Sequence, residues 1–200
     1  MKHCDATYKL SIRFENFGKI GDGGFHYPFG PPYIKENKAQ LNDWYFKKII
    51  YPQTHNMDYA ECMFPQMAFV GQNRLSDQPN IVDGEFSFQK DVAYHFDATK
   101  FAIWLRDNVC IPQGVKHIKE HITTVEADYK TGIKSLNKKH KADLYIDCTG
   151  FKSFLLGKTL KEPFEKFDYL PNNSAYAAKI PYRSKANELK NYTNCTAVQN

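Results

Sequence analysis

Residues 142–151 (Ala142-Asp143-Leu144-Tyr145-Ile146-Asp147-Cys148-Thr149-Gly150-Phe151) restrict the fold more than any other segment. A short apolar run closes on Asp-Cys-Thr-Gly, and a helix is predicted to start near Lys152 or Ser153. Strand, glycine turn and helix in that order belong to α/β architectures, in which a buried strand delivers its carboxyl end to a ligand. Glycine lets the backbone approach closely. Thr149 offers a hydroxyl, and the helix start offers N–H groups to a phosphate or a cofactor edge. A tight turn with no ligand accounts for the same residues equally well.

The residues leading into that turn extend the pattern. Residues 92–96 read as a strand end. Asp97 is a good N-cap for a helix with Phe101, Trp104, Leu105 and Val109 as its apolar stripe, closed by Pro112 and Gly114. Strands are predicted at 115–118, 122–129, 133–136 and 142–147, with turns at Thr131-Gly132 and 138–141. Helix, β-meander, strand, glycine turn, helix is an α/β order with an antiparallel insertion.

Nearer the amino end, residues 7–17 alternate. Tyr8, Leu10, Ile12 and Phe14 point one way, and Lys9, Ser11 and Arg13 the other, as in a half-buried strand. Alternation alone puts Lys9 on a solvated face. Residues 18–32, rich in Gly, Pro and aromatics, form a structured loop. A helix is predicted over 37–51 and stopped by Pro52. Residues 53–90, interrupted by Pro65, Gly71, Pro79 and Gly84, read as loops and short pieces, and 172–182 and 192–198 as further short strands.

Composition excludes several functions. The net charge of +5 rests on scattered lysines, with arginine only at 13, 74, 106 and 183. Lysine lacks the planar fork that reads phosphate or base edges, so no nucleic-acid partner is expected. No apolar run reaches the roughly 20 residues of a membrane span, and the opening Met1-Lys2-His3-Cys4-Asp5 holds no apolar signal region, so no membrane partner is expected. Cys4, Cys62, Cys110, Cys148 and Cys195 show no paired spacing, which points to free thiols and a cytoplasmic location. His117 and His121 stand four apart in a predicted strand and share no helical face, so no metal is expected. Aromatics reach 15% of the chain, enough for a Tyr- and Phe-rich core or an aromatic-lined pocket.

Four segments in this order resemble one family: Tyr8-Lys9-Leu10-Ser11-Ile12-Arg13-Phe14, Gly21-Asp22-Gly23-Gly24-Phe25-His26-Tyr27-Pro28-Phe29-Gly30, Tyr94-His95-Phe96-Asp97-Ala98, and the turn at 147–151. The family is the flavin-dependent halogenases of the tryptophan halogenase type. The resemblance implies halogenation of an electron-rich aromatic, tryptophan- or indole-like, with FAD as cofactor. It implies halide and O2 as co-substrates and a separate flavin reductase as a transient partner supplying reduced FAD. It makes Lys9 the catalytic residue, which hydrogen-bonds hypohalous acid or forms a haloamine beside the substrate ring. It gives Tyr27 and Phe29 to substrate binding. Phe29 takes a family Phe position, whereas Tyr27 stands where the family has His and His26 where it often has Tyr or Phe. The same resemblance sets Asp147, Cys148, Thr149, Gly150 and Phe151 against FAD and gives Ile122 a backbone contact to the adenine. His95, beside a helix start, fits packing as well as a cofactor contact.

The implied fold is α/β, part of a two-dinucleotide-binding flavoprotein fold with a β-meander and a substrate-side insertion. Residues 1–92 would be a substrate-side segment with the lysine strand. Residues 93–162 would be the second half of the FAD-binding domain, and 163–200 the start of the following substrate-side sheet. The family's first GxGxxG loop and its Trp-x-Trp-x-Ile-Pro segment are not found here, since Gly21-Asp22-Gly23-Gly24 opens no helix. The resemblance therefore implies an internal segment of a longer protein, inactive by itself. Two rivals stand: a hydroxylating flavin monooxygenase of the same fold, and a non-catalytic flavoprotein remnant.

Overall fold

The alternating stretch at the amino end folds as two strands, not one. In the computed structural model, which describes residues 2–18, 23–33, 41–75, 86–169, 172 and 174–198, β1 (Thr7–Lys9) and β2 (Ser11–Glu15) are separated at Leu10. β1 pairs antiparallel with β4 (Ala93–His95), placing Lys9 opposite Ala93 and Thr7 opposite His95. β2 lies at the centre of a three-stranded sheet, between antiparallel β3 (Phe25–Pro28) and parallel β7 (Tyr192–Thr196). The cause lies in the backbone bonds of Leu10. Its amide donates to the Asn191 carbonyl at 2.7 Å, and its carbonyl accepts from the Phe29 amide at 2.9 Å. Leu10 and Ser11 are therefore both fully buried, and the expected solvated face of Lys9, Ser11 and Arg13 is broken at Ser11.

These strands belong to one unit, Met1–Val115 with Ile180–Asn200. Its helices are α1 (Leu41–Ile50), α2 (Met57–Met63), α3 (Met67–Gly71), α4 (Ala98–Leu105) and the short α5 (Lys185–Glu188). The core joins Tyr8 and Leu10 to Ala60, Met67, Phe69, Val70 and Phe86. Burying each large apolar side chain contributes roughly 1.5–3 kcal/mol. Residues 53–75, expected to be loops and short pieces, thus supply two helices that cover the lysine strand. Asp97 caps α4 as expected, accepting from the Thr99 amide at 2.9 Å and the Lys100 amide at 3.0 Å. A π-helical turn, Arg106–Cys110, extends that helix.

The second unit is Lys116–Lys179. Its hairpin, β5 (Val125–Asp128) and β6 (Gly132–Leu136), turns at 129–131. Asp128 there accepts the Lys130 and Thr131 amides. The strands expected at 115–118, 142–147 and 172–182 are not formed among the described residues. A strand needs a neighbour for its ladder, and no described segment pairs with 142–147. Leu144 and Ile146 are 75% and 76% exposed, so this is not the buried strand that its apolar run predicts. Neither unit coincides with the three segments expected at 1–92, 93–162 and 163–200. Gly21 and Asp22, the start of the 37–51 helix up to residue 40, Pro79 and Gly84 lie outside the described residues.

Candidate active site

Lys9 and Phe29 come together. Lys9 ends β1, and Phe29 follows the last residue of β3. The Lys9 ammonium lies 5.5 Å from the centroid of the Phe29 ring, within the range of a cation–π contact. Both side chains are half-buried. The amide of Phe29 is held by Leu10, and its carbonyl accepts from the side-chain amide of Gln66, which is fully buried between α2 and α3. Gly30 then turns the chain at φ +83, where any Cβ would come within 2.7 Å of Asp91 Cβ.

Tyr27 is exposed and borders an aromatic cleft of about 550 Å³, with Phe25, Trp44, Tyr59 and Phe64 among its lining. Neither Lys9 nor Phe29 is among its lining residues. His26 turns its ring to Ser11, whose hydroxyl lies 2.8 Å from Nδ1, and makes an edge contact with Tyr192. Burial, reinforced by the nearby Arg13 charge, pushes the His26 pKa down to about 4. That imidazole is neutral near pH 7.

His95, opposite Thr7, meets the Thr193 hydroxyl at 3.1 Å. Its pKa is lowered by burial first and by the Lys9 charge second. Lys9 and His95 thus sense one another across the β1–β4 ladder, which neither segment's local pattern announces.

The turn at 147–151 lies in the second unit and is built differently. The Asp147 carboxylate accepts from the Thr149 hydroxyl at 2.6 Å, the Thr149 amide at 3.0 Å, and the Leu155 and Leu156 amides at 2.7 and 3.1 Å. The bond from the Thr149 hydroxyl, with those of the Leu156, Thr149 and Leu155 amides, holds its pKa down at about 2. The Thr149 oxygen in turn accepts the Phe154 amide at 2.9 Å. A short 3-10 turn (Gly150–Lys152) leads through Ser153, at φ +40, into a π-helical turn (Phe154–Thr159).

The expected offer of a free Thr149 hydroxyl and free helical N–H groups to a phosphate is thereby corrected. The Asp147 carboxylate already occupies the position an anion would take. What remains open is Gly150, at φ +63 with no atom within 4 Å of an added Cβ, beside the exposed Cys148 and Thr149 and the fully exposed Phe151. These residues fit the close approach of a flat cofactor edge to backbone and ring. Ile122 is half-buried on the extended stretch before β5. The Thr123 and Thr124 amides beside it donate to Asn137 Oδ1.

Sequence reasoning missed Gln66, Asn191 and the burial of Ser11. Gln66 and Asn191 are single polar residues in segments of poor periodicity, and only their tertiary partners distinguish them.

The mixed α/β scaffold is shared with flavin-dependent halogenases of known structure. The sequence model of the tryptophan halogenase family matches residues 1–200, and the chain belongs to that family. It is 29% identical over 217 residues to the tryptophan 6-halogenase ThaL of Streptomyces albogriseolus. It is 30% identical over 216 residues to the tryptophan 7-halogenase RebH of Lentzea aerocolonigenes. Each match covers 100% of this chain and 40% or 39% of the relative, so the chain spans about two-fifths of their length. Among solved structures, that of apo VirX1 superposes with a TM-score of 0.83 at 37% identity, over 98% of this chain and 40% of the other. The tryptophan 6-halogenase of Streptomyces toxytricini gives 0.75 at 31%, over 99% and 39%. Tar14, a tryptophan C-6 flavin-dependent halogenase (chlorinase) from taromycin biosynthesis, gives 0.75 at 31%, over 100% and 40%. Among the described residues, no helix is long and apolar enough to cross a membrane.

Proposed function

We propose that this protein, at full length, is a cytoplasmic FAD-dependent halogenase. Its substrate is an electron-rich aromatic ring of tryptophan or indole type, and Lys9 directs hypohalous acid onto it. The observation that carries the reading is the Lys9 ammonium 5.5 Å from the Phe29 ring centroid, inside two segments that match the family pattern. A lysine beside an aromatic surface suits delivery of an electrophile to a ring stacked on that surface. A hydroxylating monooxygenase of the same scaffold has no use for such an amine.

Reduced FAD, from a separate reductase, would supply with O2 and halide the electrophilic halogen. In this reading the chain carries the second half of a two-dinucleotide-binding fold. The Gly150 backbone and the Phe151 ring meet the cofactor's flat edge, and Asp147, Cys148 and Thr149 form the turn that presents them. Ile122 lies beside the adenine. Phe29 stacks on the substrate ring, and Tyr27 takes the second stacking position. Lys9 hydrogen-bonds hypohalous acid or, as the free amine, exchanges an N–H hydrogen for halogen and releases water. The substrate ring then takes the halogen and gives up a proton, which returns the amine.

The test is Lys9→Ala in the full-length protein. Halogenated product falls by roughly 10³-fold or more, while the bound-flavin spectrum and the oxidation of reduced flavin persist. Unchanged halogenation by that variant overturns the reading.

A further inference from the structure

We propose that Gln66 is a positioning residue for this reaction, fixing the Phe29 ring against Lys9; the proposal rests on the functional reading above. Phe29 lies outside any strand, so no ladder fixes it. Its backbone is held instead at both ends. Its amide donates to the Leu10 carbonyl at 2.9 Å, one residue from Lys9, and its carbonyl accepts from Gln66 Nε2. The first bond links the ring to the lysine strand, and the second links it to the helical layer.

Gln66 is 0% exposed, and among the described residues its Oε1 has no hydrogen-bond partner. A residue of similar volume such as Met would fill the space with no unpaired Oε1, but it would take the donor from the Phe29 carbonyl. The Gln66 side chain thus makes a single hydrogen bond, at the carbonyl of the residue whose ring faces Lys9. The helical layer is itself registered to the lysine strand by Asn191. Its backbone carbonyl takes the Leu10 amide at 2.7 Å, while its side chain donates to the Phe69 and Arg74 carbonyls at 2.9 and 3.0 Å. Gln66 and Asn191 therefore close a loop of bonds around Leu10: lysine strand, Phe29, Gln66, α3, Asn191, lysine strand. That loop holds the backbones that carry the Lys9 amine and the Phe29 ring.

Reacting groups misplaced by about 1 Å cost on the order of 10²-fold in rate. The experiment is Gln66→Met in the full-length protein, with two readouts: halogenated product per reduced flavin oxidised, and hydrogen exchange of the Tyr27, Phe29 and Gly30 amides within residues 27–31. The expected result is at least about a ten-fold loss of product per flavin, faster exchange at 27–31, and flavin oxidation at the wild-type rate. Wild-type coupling in Gln66→Met, with the wild-type protein halogenating normally, overturns this proposal alone. A wild-type protein that halogenates no ring overturns the functional reading and this one with it. If Gln66→Met does not fold, Gln66→Asn, which keeps the amide but is one methylene short of the Phe29 carbonyl, is read by the same criteria.

Discussion

The lysine strand and the glycine turn at 147–151 are fixed by opposite means. Around Lys9 the bonds that matter span the chain: Gln66 to Phe29, Asn191 to Phe69 and Arg74, Leu10 to Asn191, all of them buried or part-buried. Around Asp147 every bond is local, reaching no further than Leu156, and most of it faces solvent. The first region gets its geometry from tertiary packing, and the second builds its own. A lysine that must meet one ring at one distance needs a rigid frame. A turn that presents backbone to a flat group needs only a self-contained shape.

Lys9→Ala tests the first region most severely, with a loss of roughly 10³-fold in product and little change in stability; product analysis beside a thermal melt checks both. Asn191→Ala comes next. It removes one donor from the Phe69 carbonyl, which keeps the Arg74 amide, and the Asn191 donor from the Arg74 carbonyl, and is expected to cost about 2 kcal/mol, read by denaturant unfolding. Its analogue in the turn, Asp147→Asn, is expected to disturb residues 149–159 while leaving the melting of the lysine-strand unit unchanged. Equal global losses from the two would erase the contrast.

Acid separates the regions further. His26 has a pKa of about 4 when folded against an ordinary 6.5, held down by burial. The unfolded chain then binds the proton more readily, so the His26 contribution is intact above pH 6.5 and lost as pH falls toward 4. The loss grows through that interval, moderated by solvent screening of a half-buried ring. An NMR titration of His26 with an apparent pKa near 6.5 would refute this. Asp147 follows the same direction in a lower pH window, because a carboxylate held at about 2 contributes above its ordinary value of 3.8. Its contribution falls only between about pH 4 and pH 2, and amide exchange at Leu155 and Leu156 should rise there, after His26 has already charged. Asp97→Ala is the smallest effect, a loss of about 1 kcal/mol from an exposed helix cap, measured by thermal unfolding.

Much of the local structure was legible. The helix behind Asp97 was predicted because a side-chain cap and an apolar stripe are local signals, and the hairpin at 125–136 because Thr131-Gly132 marks a turn. The strand at 142–147 was misread. An apolar run states what a segment would bury but not whether a neighbour lies beside it. Residues 53–90 read as loops and short pieces, and their described part holds helices of seven and five residues, too short to display periodicity.

For this protein the sequence by itself determined the family, through four motifs in a fixed order, and the motif lysine and the capped helix, because each of these signals is local. Only the tertiary structure decided that Ser11 is buried, that the lysine strand breaks at Leu10, and that Phe29 stands over Lys9. Those outcomes depend on hydrogen bonds to Gln66 and Asn191, residues far along the chain whose partners no local pattern specifies.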